Sequence, residues 1–380
     1  MNSNLASQLL SSIMRWDYER LTSERPVLEF MGSMKYDAYD RFMPGTRFMS
    51  SLVQWLSQFD EEDRAIVLEF IKKRLVFISS TQMNYLVDLL YGSIIRPILL
   101  ERATENAKMP SYMLCNNKVQ EQFEIEKRSS LVIGLSDGAH TDILRRSAGF
   151  SNEQVLTNYY PDEKKLRNML EELQKDKKLS EIENPYFHSI FLIDDFTASG
   201  KSFVRFDDKE KEFKGKLVKI IDELCHNNES SEEKLHLSYL LDSSKPEIHI
   251  YILFCMATHK AKENINKNLD EFLKDCKYKN VKYHIKVVQL LGDSLSKDIT
   301  NDHALMKVLS KPRYFQQYLK NDKAYNVGNT TNPYLGFDEC ALPVVLSHNT
   351  PNNSLPILWQ DTDDKGFKGF KGLFPRISRH

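Results

Sequence analysis

The sequence has no run of about 18 consecutive apolar residues, which is what a membrane-spanning helix needs. No transmembrane segment is therefore expected. Its start, MNSNLASQLLSSIMRWDYERL, lacks the basic stretch and long apolar block of a secretory signal, so the expected location is the cytoplasm. Cysteine is scarce: Cys115, Cys225, Cys255, Cys276 and Cys340 are scattered, odd in number and form no C-x-x-C pair. Free thiols are expected rather than disulfides or a zinc site. Charge of one sign is also lacking, with 52 Lys and Arg against 53 Asp and Glu. No overall field draws the chain to nucleic acid or anionic lipid, and any such contact must come from a local patch. There is no H-E-x-x-H pattern, no Ser-His-Asp spacing and no internal repeat.

What is present is a globular composition, 41% apolar and 28% charged over 380 residues. That length holds two domains, or one large domain with extensions, because single cores stop growing at roughly 250–300 residues. From Leu5 to about Glu105 the pattern is helical. Acids at Asp60, Glu61, Glu62 and Asp63 mark a helix start, and Val67, Ile71, Leu75 and Ile78 continue as one stripe. The run MNYLVDLLYGSIIRPILLERA predicts a helix inside the fold, which Pro97 should kink or end.

After about Met109 the rhythm changes. Apolar runs in SSLVIGLSDGAH, QVLTNYY, SIFLIDD, EIHIYILFCMA and VKYHIKVVQLLG alternate with helical stretches, among them DEKKLRNMLEELQKDKK and KENINKNLDEFLKD. Alternating strands and helices predict an α/β fold with a mainly parallel, doubly wound sheet. The strands are almost continuously apolar, as expected when both sheet faces are covered. The organisation reads as a helical region over 1–110, an α/β core over 111–310 and an irregular extension over 311–380. The charged stretch 203–246 is longer than a helical crossover needs and reads as an insertion.

The segment IFLIDDFTASGKSF, Ile190 to Phe203, ends in SGKS like a phosphate-gripping P-loop. A P-loop needs a glycine five residues before Gly200, and that position is Asp195. The motif therefore fails. Instead, a buried strand delivers Asp194 and Asp195 to the carboxyl edge of the sheet, where ligands of open α/β folds bind. Carboxylates accept hydrogen bonds from paired hydroxyls such as the 2′ and 3′ hydroxyls of a ribose. Thr197, Ala198, Ser199, Gly200, Lys201 and Ser202 then form a small-residue turn, predicted to open a helix near Lys201, whose free N–H groups and hydroxyls suit a phosphate. A lone loop histidine, His140, is a candidate acid or base near neutral pH.

Apolar strand, Asp-Asp, two residues and a Ser/Gly-rich turn resembles the signature of type I phosphoribosyltransferases, which bind phosphoribosyl pyrophosphate (PRPP). The resemblance implies that Asp194 and Asp195 bind the ribose and that Ala198, Ser199, Gly200, Lys201 and Ser202 hold its 5′-phosphate. Lys201 stands where that family commonly has a small residue. An upstream loop in LVIGLSDGAHTDILRR, with Ser136, Asp137, Gly138, Ala139 and His140 and with Thr141 as a helix N-cap, falls where the family has its pyrophosphate loop. Asp137 would act there through Mg²⁺, with Asp194 and Asp195 as the other metal-linked acids.

The tail GFDECALPVVLSHNTPNNSLPILW, together with the helical N-terminal region and this core, resembles the phosphoribosyltransferase-like proteins of prokaryotic conflict and antiphage systems. That resemblance implies a hood over the ligand formed by His348, Asn349, Asn352 and Asn353, with Arg376 reaching an anionic group. It further implies a defence effector, working with partner proteins from the same operon and acting on PRPP or a related nucleotide. The alternatives are a non-catalytic nucleotide sensor that regulates a partner, and a structural adaptor without a ligand. The closing KGFKGFKGLFPRISRH interleaves basic and aromatic residues, as single-strand nucleic-acid binders do, and raises nucleic acid as a minor candidate partner.

Overall fold

The apolar runs become parallel strands. The computed structural model describes residues 3–226, 235–242, 244, 247–315, 327–328, 330–360 and 370–376. Its strands, in chain order, are β1 (Val76–Ile78), β2 (Ser130–Gly134), β3 (Val155–Leu156), β4 (Ser189–Thr197), β5 (Arg205–Asp207), β6 (Glu212–Lys214), β7 (Ile248–Thr258), β8 (Val281–Leu291) and β9 (Val344–Leu346). The chain divides into two compact units, Met1–Gln82 together with Gly292–His380, and Met83–Leu291. The helical stretch before residue 110 is thus shared between them.

The Met83–Leu291 unit is built on a five-stranded sheet of order β3-β2-β4-β7-β8, parallel at every pairing. This is the doubly wound α/β core expected from the alternation of strands and helices. Helices Glu163–Gln174, Lys216–Leu224 and His259–Phe272 pack on one face, where Leu166, Ile220 and Ile265 join Ile190, Leu192, Ile250 and Ile252 in one buried cluster. Side chains alternate along a strand, so Phe191 and Tyr251 point to the opposite face and stack there at 5.1 Å. The Leu90–Ile95 turn packs over β7 and β8 on the chain's other layer.

The other unit is mainly helical, with Ser3–Met14, Tyr18–Met34, Phe48–Leu56 and Glu61–Arg74 from the N-terminal part and Ser294–Thr300 and His303–Leu309 from the C-terminal part. The tail is wired into it through β9, which pairs in parallel with β1, and through Trp55, whose indole N–H donates to the Ile357 carbonyl at 2.8 Å. Trp55 is fully buried and meets Phe59 edge-on. Trp55→Ala removes both the packing and the bond, and is expected to cost about 3–5 kcal/mol by urea unfolding. A loss below about 1 kcal/mol would show that this core does not govern stability.

Several local expectations change. The helix through Pro97 does not end there: Ser80–Leu89 and Arg96–Asn106 are joined by one widened π-type segment, Leu90–Ile95, directly before Arg96 and Pro97. The wider turn absorbs the missing proline N–H. Ser80–Asn106 is also the one helix, among the described residues, long and apolar enough by composition to cross a membrane, with 33% of its most apolar window buried. Met83, Val87, Leu90, Ile95, Leu99 and Ala103 form its buried stripe. The stripe of Val67 and Ile71 holds, but the helix stops at Arg74 and Ile78 lies in β1. A β-branched and aromatic triplet, Val76-Phe77-Ile78, finds a strand partner far away in sequence, which local periodicity cannot show.

No helix opens at Lys201. Residues 198–203 form a turn, β5 and β6 make an antiparallel hairpin, and the helix begins only at Lys216. The insertion therefore contains ordered structure, although 227–234, 243, 245 and 246 fall outside the described residues. Thr141 is the first residue of its helix and not the cap. His140 takes the cap position in a left-handed conformation, φ 49° and ψ 37°, without a side-chain capping bond. Cys115, Cys225, Cys255 and Cys340 are thiols and not disulfides.

Candidate functional site

Numbered along the chain within this sheet alone, the strand order is 2-1-3-4-5, and the direction of winding reverses between β2 and β4. In such sheets a crevice opens beyond the carboxyl ends of the two strands at the reversal. The loop after β2 and the acid pair near the end of β4 both stand there.

Ser136 and Asp194 meet across that point. The Ser136 hydroxyl donates to Asp194 Oδ1, which also accepts from the Asp195 N–H at 3.1 Å. Asp194 Oδ2 faces the Lys216 ammonium at 3.1 Å. Asp194 is buried, and burial pushes its carboxyl up from 3.8 to about 6, with Lys216 drawing it down and Asp195 pushing it up. Asp195 is also buried, and its Oδ1 accepts from the Phe196 N–H at 2.8 Å. Cys255, one strand over, feels the same pair: burial and the charges of Asp195 and Asp194 push its thiol well up.

The turn from Ala198 to Ser202 is held from below by the helix that follows β7. Thr258 Oγ1 donates to the Ala198 carbonyl at 2.6 Å and Asn264 Nδ2 to the Ser199 carbonyl at 2.9 Å. Gly200 has φ +75°, and a Cβ there would lie 2.8 Å from the Ala261 carbonyl oxygen and 2.9 Å from Ile265. Only glycine fits. The carbonyls are thus tied down, while the N–H groups of Gly200 and Ser202 donate to no atom of the described residues. Such a turn suits an anion, by its N–H groups rather than by the helix dipole that a helix at Lys201 would have supplied.

The remaining candidates are placed as follows. Gly138 and Ala139 are buried under the first loop, His140 is half-buried and Asp137 is exposed. Thr197 closes β4 and Lys201 is half-buried on the turn. His348, Asn349, Asn352, Asn353 and Arg376 belong to the other unit. There the Arg41 guanidinium donates to the His348 carbonyl at 2.7 Å, Asn349 Oδ1 accepts from the Thr350 N–H at 3.0 Å, and the Asn352 carbonyl accepts from the Phe337 N–H at 2.8 Å. Asn353 is buried and donates to the Phe337 carbonyl at 3.1 Å, while Arg376 lies over the Trp359 ring at 5.6 Å. The Asn349 and Asn353 side chains therefore help hold the tail's own loops, while His348 and Asn352 are held through their carbonyls. Phe370 and Phe374 are buried as well, and Phe374 lies among Tyr36, Tyr39 and Phe48. Of the basic-aromatic run, 365–369 and 377–380 lie outside the described residues.

Lys216 has a signal in the sequence, the Gly-Lys pair opening the amphipathic stretch KLVKIIDEL, which an expected helix start at Lys201 hides. For a metal, Asp194 offers oxygens already engaged by Ser136, Asp195 and Lys216. Among the described residues, no group of three or more His, Cys, Asp or Glu side chains is placed to hold an ion. A metal held by protein ligands alone does not fit this donor set. A depression of about 560 Å³ beside Glu247, His249 and His284 lies at the amino ends of β7 and β8, the opposite edge from the acid pair.

Sheet order, acid pair and turn together define a doubly wound α/β protein with two buried carboxylates and an N–H-lined turn at its switch point. The family model PRTase-CE matches residues 52–376, and the chain belongs to that phosphoribosyltransferase-like family. Membership supports a function of the phosphoribosyltransferase type. No curated protein and no solved structure matches the chain.

Proposed function

We propose that the protein binds PRPP or a related nucleotide at the β2–β4 switch point and acts at the anomeric carbon of its ribose. The observation that carries this reading is the acid pair next to the anion turn, both on the single strand β4 and its end. Asp194 and Asp195 would accept the ribose 2′ and 3′ hydroxyls, and the Gly200 and Ser202 N–H groups would face the 5′-phosphate. As the bond from the anomeric carbon to diphosphate breaks and water or an acceptor's nucleophilic atom bonds to that carbon in its place, positive charge spreads over the sugar ring, and fixed carboxylates nearby stabilise it. Mg²⁺ enters this reading as an ion carried by the ligand's own phosphates, since such ions usually keep water and phosphate ligands.

The resemblance of the tail to proteins of prokaryotic defence systems supports an antiphage role for this activity, with operon-encoded partners. A second reading, nucleotide sensing without turnover, is favoured by Lys216: an ammonium seated on Asp194 gives the ligand something to displace. Incubation with PRPP and ³¹P detection of diphosphate release separates the two. Release that disappears in Asp194→Asn/Asp195→Asn supports the enzyme, whereas binding without release supports the sensor.

A further inference from the structure

The β5–β6 hairpin does more than lengthen the chain. Between it and the start of the Lys216–Leu224 helix lies a cleft of about 490 Å³, lined by Tyr159, Ser202, Arg205, Lys216 and Lys219 among others. It touches the anion turn at Ser202 and reaches the acid pair through Lys216, whose ammonium faces Asp194 at 3.1 Å and lies over the Phe203 ring at 4.8 Å.

The charges in this cleft do not cancel. Its carboxylates are engaged by other groups: Glu212 shares Lys214 with Asp207 and Glu210, at 3.4 Å, and Asp222 accepts from Lys277 at 2.9 Å and from the Tyr278 hydroxyl at 2.5 Å. Arg205 instead donates to a neutral group, the Lys201 carbonyl, at 3.2 Å. Among the described residues neither Arg205 nor Lys219 has a carboxylate partner. Two uncompensated cations, a third that leans on the ribose-facing acid, and the Ser202 hydroxyl therefore converge on one concave space. By contrast, Ser136 to His140, the loop after β2, holds no Lys or Arg and carries Asp137.

We propose that this cleft is a second anion site, which takes the diphosphate or terminal phosphates of the ligand whose ribose faces Asp194 and Asp195. The site rests on the binding reading above for the ribose, and on its own cations for the phosphates. It supplies the positive charge that the loop after β2 lacks. Lys219 is exposed and Arg205 half-buried at its rim, and Lys216 forms its inner end, so an anion bound there draws Lys216 away from Asp194 and frees that carboxylate for hydroxyls.

Inorganic diphosphate, titrated calorimetrically in EDTA, tests the cleft without any ribose. Wild-type protein should bind it, more weakly as salt is raised, because the rim charges are exposed to screening. Arg205→Ala/Lys219→Ala should bind at least about tenfold more weakly, since two charge-assisted contacts are lost. Arg205→Lys/Lys219→Arg should retain most of the affinity. Lys219 is exposed, and Lys219→Ala alone, with a smaller loss expected, carries the test if the pair fails to fold. No binding by wild type, or equal binding by the alanine pair, overturns the proposal. Asp194→Asn/Asp195→Asn separates the two readings. Diphosphate binding that survives this change supports the cleft even if PRPP binding proves independent of the acids, and diphosphate binding that needs the acids but not Arg205 and Lys219 overturns it.

Discussion

Gly215→Ala should lower stability by about 3 kcal/mol or more and release the Lys216 helix from its place beside the acid pair. Gly215 has φ +140° and ψ 177°, a region that side-chain-bearing residues avoid. An alanine Cβ would lie 2.2 Å from the Phe203 carbonyl oxygen and 2.5 Å from its carbon. Both atoms are backbone, and the same stretch bonds Leu217 N–H to the Phe203 carbonyl at 2.9 Å. Relief therefore requires the turn and the helix start to part. Urea unfolding gives the stability loss, and diphosphate titration gives the loss of the cleft. An alanine variant with wild-type stability would mean that the hairpin and helix do not meet in this way.

Asp194→Asn should change stability in a pH-dependent manner. Burial lifts the carboxyl from 3.8 to about 6, so between those values the folded protein keeps a proton that the unfolded chain has released. The unfolded state then binds fewer protons, and this group's contribution to stability falls as pH rises from about 4 to about 6. Above that window an ionised, buried Asp194 costs about 3 kcal/mol relative to its protonated form, despite Lys216. Asparagine does not titrate. The stability of the variant relative to wild type should therefore rise by about 3 kcal/mol between pH 4 and pH 7.5 in parallel urea unfolding experiments. A difference that stays constant over that range would mean that the carboxyl ionises normally. The proposed binding site thus sits where the fold bears an electrostatic cost, as functional sites commonly do.

The sheet was legible because its strands are continuous apolar runs between helices with clean stripes. Leu166, Met169, Leu170 and Leu173 are all buried on the helix predicted for them, as are Ile265, Leu269 and Phe272 on theirs. The acid pair was legible because it interrupts such a run at its carboxyl end. What failed was local in pattern and non-local in cause. A helix after Lys201 is a fair reading of a Ser/Gly turn, but the hairpin and the backbone contact at Gly215 move the start to Lys216, and with it the cation that faces Asp194. β1 is a three-residue strand whose partner, β9, comes near the end of the chain. The tail motif stood out by composition, yet much of its polarity bonds the tail's own backbone: Ser354 Oγ donates to the Val344 carbonyl at 2.5 Å and Trp359 Nε1 to the Ser354 carbonyl at 2.9 Å. Spacing could not separate such anchoring from ligand recognition.

On the proposed function, the acid pair at the switch point receives a ribose. Calorimetric titration of PRPP and of common ribonucleotides, with Mg²⁺ present, into wild type and into Asp194→Asn/Asp195→Asn tests it most directly. Wild type should bind at least one of them, and the double variant, folded by circular dichroism, should bind it at least about a hundredfold more weakly, the loss of roughly 3 kcal/mol expected when two hydroxyl-accepting carboxylates are removed. Equal affinity in the two proteins, or no binding of any of these ligands by wild type, would contradict the account.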